Sequence, residues 1–142
     1  MGIYEGLKRK KESNMKIAHF ISNSLGDIEK AYHDRIWQFG NHKSMYGTSV
    51  GDLIVISLKG TNRFFILGFA ASKVKNVTNL NRWPSETDMN RPNNYTKEID
   101  IAPLKHLRER IKTDVEVLIG FKFKQGFGCR YSKEVDNIDE LL

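Results

Sequence analysis

The sequence predicts an α+β fold, a small twisted β-barrel with helices packed outside it, and three observations carry that prediction. The first is a pair of β-rich apolar runs, Leu53 to Leu58 and Phe64 to Ala71, joined by Lys59-Gly60-Thr61-Asn62. Near-continuous apolar content makes this a hairpin at the centre of the core, closed by a short Gly/Asn turn. The second is a set of short segments of helical period interleaved with the strands rather than gathered at one end. The third is size, since 142 residues bury a real core in one domain without disulfides or metal.

In chain order, residues 1–14 hold Lys8-Arg9-Lys10-Lys11 and no sustained periodicity, so they are expected to be a flexible basic leader ahead of a single domain over 15–142. Lys16 to Ile21 reads as a first strand. Ser24, followed three residues on by Asp27, resembles a capping box, and Leu25, Ile28 and Tyr32 recur at helical spacing, which predicts a helix over 25–34. Trp37 to Thr48 reads as a polar loop carrying Trp37, Phe39 and Tyr46. Within the hairpin, Gly68 marks a bulge or a close backbone approach. Residues 75–95, crowded with Asn and Pro, read as a long loop with Trp83 near its middle, and connections of that length are usually functional or disordered.

Tyr95 to Ala102 alternates as a strand. Pro103 suits the first turn of a helix with Leu104, Leu107 and Ile111 inward, its outer face a basic stripe of Lys105, His106, Arg108, Arg110 and Lys112. Val115 to Ile119 and Phe121 to Lys124 are expected as further β segments. Ser132 opens a final amphipathic helix containing Val135, Ile138, Leu141 and Leu142.

Composition narrows the chemistry. A formal charge of +6 and a pI near 9.4 point to a polyanionic partner, although solvated lysines alone produce the same balance. One cysteine, Cys129, requires no oxidising compartment, and no apolar run approaches the ~18 residues of a membrane span, so the expected location is cytoplasmic, with no membrane partner. The four histidines have no zinc-ligand spacing and Cys129 has no Cys-x-x-Cys partner; no metal and no cofactor are expected. Gly126-Phe127-Gly128 lacks the rest of a dinucleotide fingerprint, and no phosphate-loop lysine motif or nucleophile elbow is present. The expectation is a protein that is not an enzyme.

Binding signals are stronger. Trp37 and Trp83 both sit in polar, turn-rich surroundings, an unusual setting for the side chain with the most apolar area to hide. Aromatic side chains in basic loops are what single-stranded or extruded bases require, because stacking is worth about 1 to 3 kcal/mol per base. An exposed amide such as Gln38 or Asn41 can read a base edge. The alternative is that each indole caps an end of the barrel.

Ile36-Trp37 with its polar loop, Val50-Gly51-Asp52 leading into the strand from Leu53, the returning strand from Phe64 to Ala71, and Trp83 in the next loop resemble, in order and spacing over roughly residues 15–142, the EVE and YTH branches of the PUA-like superfamily. That resemblance implies a PUA-like barrel in which an aromatic cage holds a modified base, N6-methyladenine or modified cytosine. Trp37 and Trp83 match the cage walls, with Gln38 beside the first wall and Asn41 in the same loop. Lys43, Arg82, Lys105 and Arg108 are the expected nucleic-acid backbone contacts. The implied function is a non-catalytic reader whose partners are nucleic acid carrying a modified base and a nuclease or other effector subunit. A general RNA-binding module of the same superfamily is the alternative, followed by an ASCH-type nucleoside hydrolase, which would need a catalytic Lys and Glu facing the slot.

Overall fold

A computed structural model of the chain describes residues 16–40, 42–78, 95–123, 128–131 and 138–142. In chain order the elements are β1 (Ile17–Ser22), α1 (Leu25–Asp34), β2 (Ile36–Phe39), a 3-10 turn (Lys43–Met45), β3 (Leu53–Leu58), β4 (Arg63–Ala70), β5 (Lys75–Asn76), β6 (Lys97–Ile111), α2 (Lys112–Ile119), β7 (Gly128–Tyr131) and α3 (Ile138–Leu141). The strands form one mixed sheet in the order β2-β6-β4-β3-β1-β7, with β5 also paired to β6. The sheet curls into a half-barrel with helices against it, an α+β architecture.

Both faces of the central strands are buried, which is why the hairpin reads as a continuous apolar run rather than an alternating one. Ile17, Leu53, Val55, Ile66 and Phe69 turn to one face, where Val115 and Ile119 of α2 and Leu141 of α3 cover them. Ala18, Phe20, Ile54, Ile56, Phe65 and Leu67 turn to the other, against Ile28 and Ala31 of α1 and Trp37 and Phe39 of β2. The parallel pair β1 and β3 lies at the middle, Ile17 opposite Leu53 through Ser22 opposite Leu58.

Helix α1 forms where its sequence signals place it. The Ser24 hydroxyl accepts from the Asp27 N–H at 3.2 Å and so satisfies one of the helix's free first-turn donors. At the other end Arg35 adopts a left-handed conformation (φ 61°) and its N–H returns to the Ala31 carbonyl. Tyr32 donates its phenolic hydrogen to the Leu104 carbonyl, which ties the helix to β6.

Several expected elements differ. No helix begins at Pro103; β6 runs on as a strand for 15 residues. Its second half pairs antiparallel with β4, Ile66 opposite Arg108 and Phe64 opposite Arg110, so sheet pairing overrides the helix-forming tendency of Leu104 to Arg110. Proline is tolerated because Pro103 faces Gly68, where the register of β4 and β6 shifts and a ladder N–H is dispensable. The second difference is α2, which replaces the β segment expected at 115–119. Val115 and Ile119, one turn apart, are buried, Val117 is 80% exposed, and Gly120 (φ 79°) closes the helix with its N–H on Glu116. Phe121 to Phe123 form no strand. Third, Trp37 lies in the strand β2, Trp37 opposite Ile99 of β6, and not in a loop. The leader 1–14, most of the Asn-rich segment and the residues at 132–137 expected to open the last helix lie outside the described residues.

Gly68 is the tightest point of the sheet. A Cβ there would stand 2.1 Å from the Ala102 carbonyl oxygen and 2.7 Å from the Pro103 Cα, both backbone atoms that cannot give way alone. Gly60, in the β3–β4 turn, has a positive φ of 78° but nothing within 4 Å of the same position. Gly68→Ala is therefore expected to destabilise the fold by about 3 kcal/mol or more, through displacement of two paired strands. Gly60→Ala should cost only about 1 to 2 kcal/mol of left-handed backbone strain. Urea denaturation of the two variants measures both, and equal costs would show that the β4–β6 contact is not the tighter constraint.

Candidate functional site

A cleft of about 730 Å³ opens where β1 and β3 end side by side. After their last paired residues the two chains leave in different directions, one into α1 and the other into the turn to β4, which leaves a crevice at the carboxyl ends of the strands. Pairing of β1 with β7 reaches only Phe20 opposite Gly128, so Ile21 and Ser22 extend past that partner. Residues from five segments line the cleft: His19 to Asn23, Trp37 to His42 in part, Ser57 to Phe64 in part, Tyr95, and Lys112.

One wall is aromatic. Trp37 is 4% exposed, its ring meeting Phe20 edge to face at 6.0 Å, and Phe39 packs against Phe20 at 5.1 Å. Strand alternation sends Trp37 and Phe39 to the cleft side and Gln38 to the opposite one. Tyr95 adds a third aromatic ring to the lining.

The polar end of the cleft is built on His19, which alternation along β1 turns, with Ser57, to the sheet face of Phe64 and Phe123 rather than the face of Phe20 and Trp37, so the cleft passes round the ends of β1 and β3. His19 Nε2 is 2.9 Å from Ser57 Oγ, and the imidazole stacks on Phe64 at 5.1 Å and tilts against Phe123 at 4.9 Å. Only 3% of His19 is exposed, and burial followed by the nearby Lys112 charge lowers its pKa to about 4, so the ring is neutral at physiological pH. A base of that strength is a poor proton acceptor near neutrality.

Charge in the cleft is one-sided. Lys59 and Lys112 line it, and among the described lining residues there is no Asp or Glu. Among the described residues neither lysine forms an ion pair; the ion pairs present, Lys30–Asp34, Arg63–Glu109 and Lys75 with Glu98 and Asp100, lie elsewhere. At the rim, the Ser22 hydroxyl bonds both ways to the Ser24 backbone, shaping the turn that displays Asn23.

The expected site residues divide. Trp37 lines the cleft. Gln38 is fully buried on the far face of β2, where its amide donates to Glu98 Oε1 at 3.3 Å. Glu98 also accepts, at 3.4 Å each, from the Thr78 N–H and hydroxyl. Lys43 is exposed in the 3-10 turn; Lys105 is exposed on β6, and Arg108 donates from Nε to the Leu142 carbonyl at 2.7 Å. None of these three lines the cleft. Asn41, Arg82 and Trp83 lie outside the described residues. Sequence reasoning missed Asn23, His19, Ser57, Lys59 and Tyr95 as site residues, and considered Lys112 only as part of a basic stripe. Asn23 had a local signal, an Asn between a strand and a helix N-cap, whereas the others meet only through the sheet.

The chain matches no family model and no curated protein. Among the described residues no three His, Cys, Asp or Glu side chains are placed to hold a metal ion, and no helix is long and apolar enough to cross a membrane.

Two outcomes follow from this geometry. His19 binds its proton with pKa about 4 in the folded chain against 6.5 unfolded, so its contribution is complete above about pH 6.5 and is lost as the pH falls toward 4. Acidification through that window is expected to remove on the order of 3 kcal/mol, and His19→Gln should flatten that part of the stability profile, read by urea midpoints from pH 7 to 4. Gln38→Leu, which leaves the buried Glu98 short of a donor, should cost about 1 to 3 kcal/mol, measured as a lowered urea midpoint; an unchanged midpoint would show that the pair contributes no stability.

Proposed function

We propose that this protein is a non-catalytic nucleic-acid-binding module that holds a modified base, N6-methyladenine or modified cytosine, in the cleft at the ends of β1 and β3. One observation carries the reading: a single crevice presents Trp37, Phe39 and Tyr95 together with Lys59 and Lys112, and its described lining contains no carboxylate. Aromatic rings at the back of a crevice, Trp37 and Phe39 nearly buried and Tyr95 half-buried, beside uncompensated positive charge support a nucleotide ligand, whose ring needs aromatic contact and whose phosphate needs cations. The resemblance of the Trp37 segment and the following hairpin to the EVE and YTH branches of the PUA-like superfamily agrees with this, and the curled α+β sheet is compatible with such a barrel.

A methyl group suits this cleft. Buried against aromatic carbon it is worth about 0.8 kcal/mol by transfer, and closer stacking adds to that, which gives discrimination on the order of tenfold. In this reading Asn23 takes the edge-reading role expected of Gln38, whose amide is held by Glu98. The hydrolase alternative is less well supported, because the described lining has lysines but no glutamate to work with them.

The test compares affinities for single-stranded and duplex oligonucleotides, DNA and RNA, with and without N6-methyladenine and 5-methylcytosine. Trp37 is deeply packed, and Trp37→Ala would remove about 3 to 5 kcal/mol of core, so Trp37→Phe and Asn23→Ala are the informative variants. Wild-type chain should prefer one modified strand by about tenfold, and each variant should reduce that preference severalfold while the urea midpoint stays within the folded range. Equal affinity for every modified and unmodified strand would remove the modified-base reading. Affinity that depends on lysines alone, with a steep salt slope, would favour the general RNA-binding alternative.

A further inference from the structure

The polar end of the cleft has no part in stacking a base, and its composition is specific. Ser57 is held by His19 at 2.9 Å, and Lys59 and Lys112 come to the same crevice from the β3–β4 turn and the start of α2. The Lys112 backbone N–H is fixed to the Asn62 carbonyl at 2.8 Å, so the two lysine-bearing segments are joined by a direct hydrogen bond. His19 is enclosed by Phe64 and Phe123 and stays uncharged, leaving the lysines as the cations at this end.

We propose that Lys59, Lys112 and the Ser57 hydroxyl form a phosphate subsite that takes the monophosphate attached to the nucleoside whose base lies against Trp37. In the proposed subsite the neutral His19 ring takes the tautomer with its hydrogen on Nε2, donates to Ser57 Oγ and so leaves the serine hydrogen to a phosphate oxygen. His19 is thus a positioning residue, while Ser57 and the two lysines make the contacts. An anion is selected because both cations lack a carboxylate partner among the described residues and the described lining of the crevice supplies none. This inference rests on the base-binding reading and moves the phosphate contact from Lys43, Lys105 and Arg108, none of which lines the cleft, to residues that do.

The experiment titrates the full chain, by calorimetry or by NMR shifts, with N6-methyladenosine and 5-methylcytidine, each as the free nucleoside, the 3′-monophosphate and the 5′-monophosphate, and with inorganic phosphate. One of the monophosphates should bind at least tenfold more tightly than its nucleoside. Lys59→Gln and Lys112→Gln, both at exposed or half-exposed positions, should each cut that advantage to about threefold or less and leave nucleoside affinity unchanged. Ser57→Ala should reduce it severalfold with the same indifference to the nucleoside. Nucleoside and monophosphates binding equally would overturn the subsite and leave the base reading standing. Phosphate and nucleotides binding with no contribution from the base would overturn the base reading and leave an anion site. Binding of no probe at all would overturn both.

Discussion

The close approach of Gly68 to Ala102 and Pro103 is the constraint on which the rest of the structure depends. Only a residue without a Cβ lets the β4 backbone come this near to β6, and the shift of register at that point divides β6 into two working halves. Beyond it, residues 108–111 continue the ladder with β4. Before it, residues 97–100 pair with β2 on one edge while 97 and 98 pair with β5 on the other. The curl of the sheet follows from that division, and it brings Trp37 and Phe39 of β2 against Phe20 of β1, a strand several places away in the sheet order. The aromatic wall of the cleft is therefore a consequence of sheet geometry fixed elsewhere.

Much of the fold was legible in the sequence wherever a local signal and the tertiary environment agree. Ser24 and Asp27 open α1, and the two apolar runs around Gly60 make the β3–β4 hairpin, because capping and turn chemistry act within a few residues. Leu104 to Arg110 shows the opposite case. Its spacing of leucines and its lysines and arginines favour a helix, yet pairing with Phe64, Phe65 and Ile66 satisfies the backbone and buries Leu104, a gain that no short window of sequence contains. At 115–119 the alternation of Val115, Val117 and Ile119 imitates a strand. The stop at Gly120 and the burial of residues four apart belong to a helix.

The candidate site was legible to a lesser degree for the same reason. Trp37 stands out in the sequence by its type and surroundings. Lys112 and Ser57 do not, since one looks like part of a basic stripe and the other like a polar residue ending an apolar strand. They acquire meaning only when parallel pairing of β1 with β3 sets Ser57 beside Ile21 and brings its hydroxyl to His19. Gln38 shows the converse: a polar amide next to an aromatic residue invites a role in recognition, but alternation along β2 turns it to the other face, where buried Glu98 takes its hydrogen.

Electrostatics connects these points to the proposed reading. Net charge of +6 does not by itself locate a partner, because lysines spread over a surface mainly confer solubility. What matters is where cations stand without acids. Glu98 accepts from Gln38 and Thr78 and Glu109 engages Arg63, so these carboxylates are committed to holding strands together. The cleft keeps Lys59 and Lys112 clear of them. A protonated imidazole at His19 would add a third positive charge beside Lys112 in a site shielded from water, and the low pKa of that ring states the cost of doing so. By staying neutral, His19 serves as a hydrogen-bonding and packing group between Phe64 and Ser57. In the proposed reading the positive potential of the cleft is then carried by Lys59 and Lys112, while the buried ring holds the Ser57 hydroxyl at 2.9 Å.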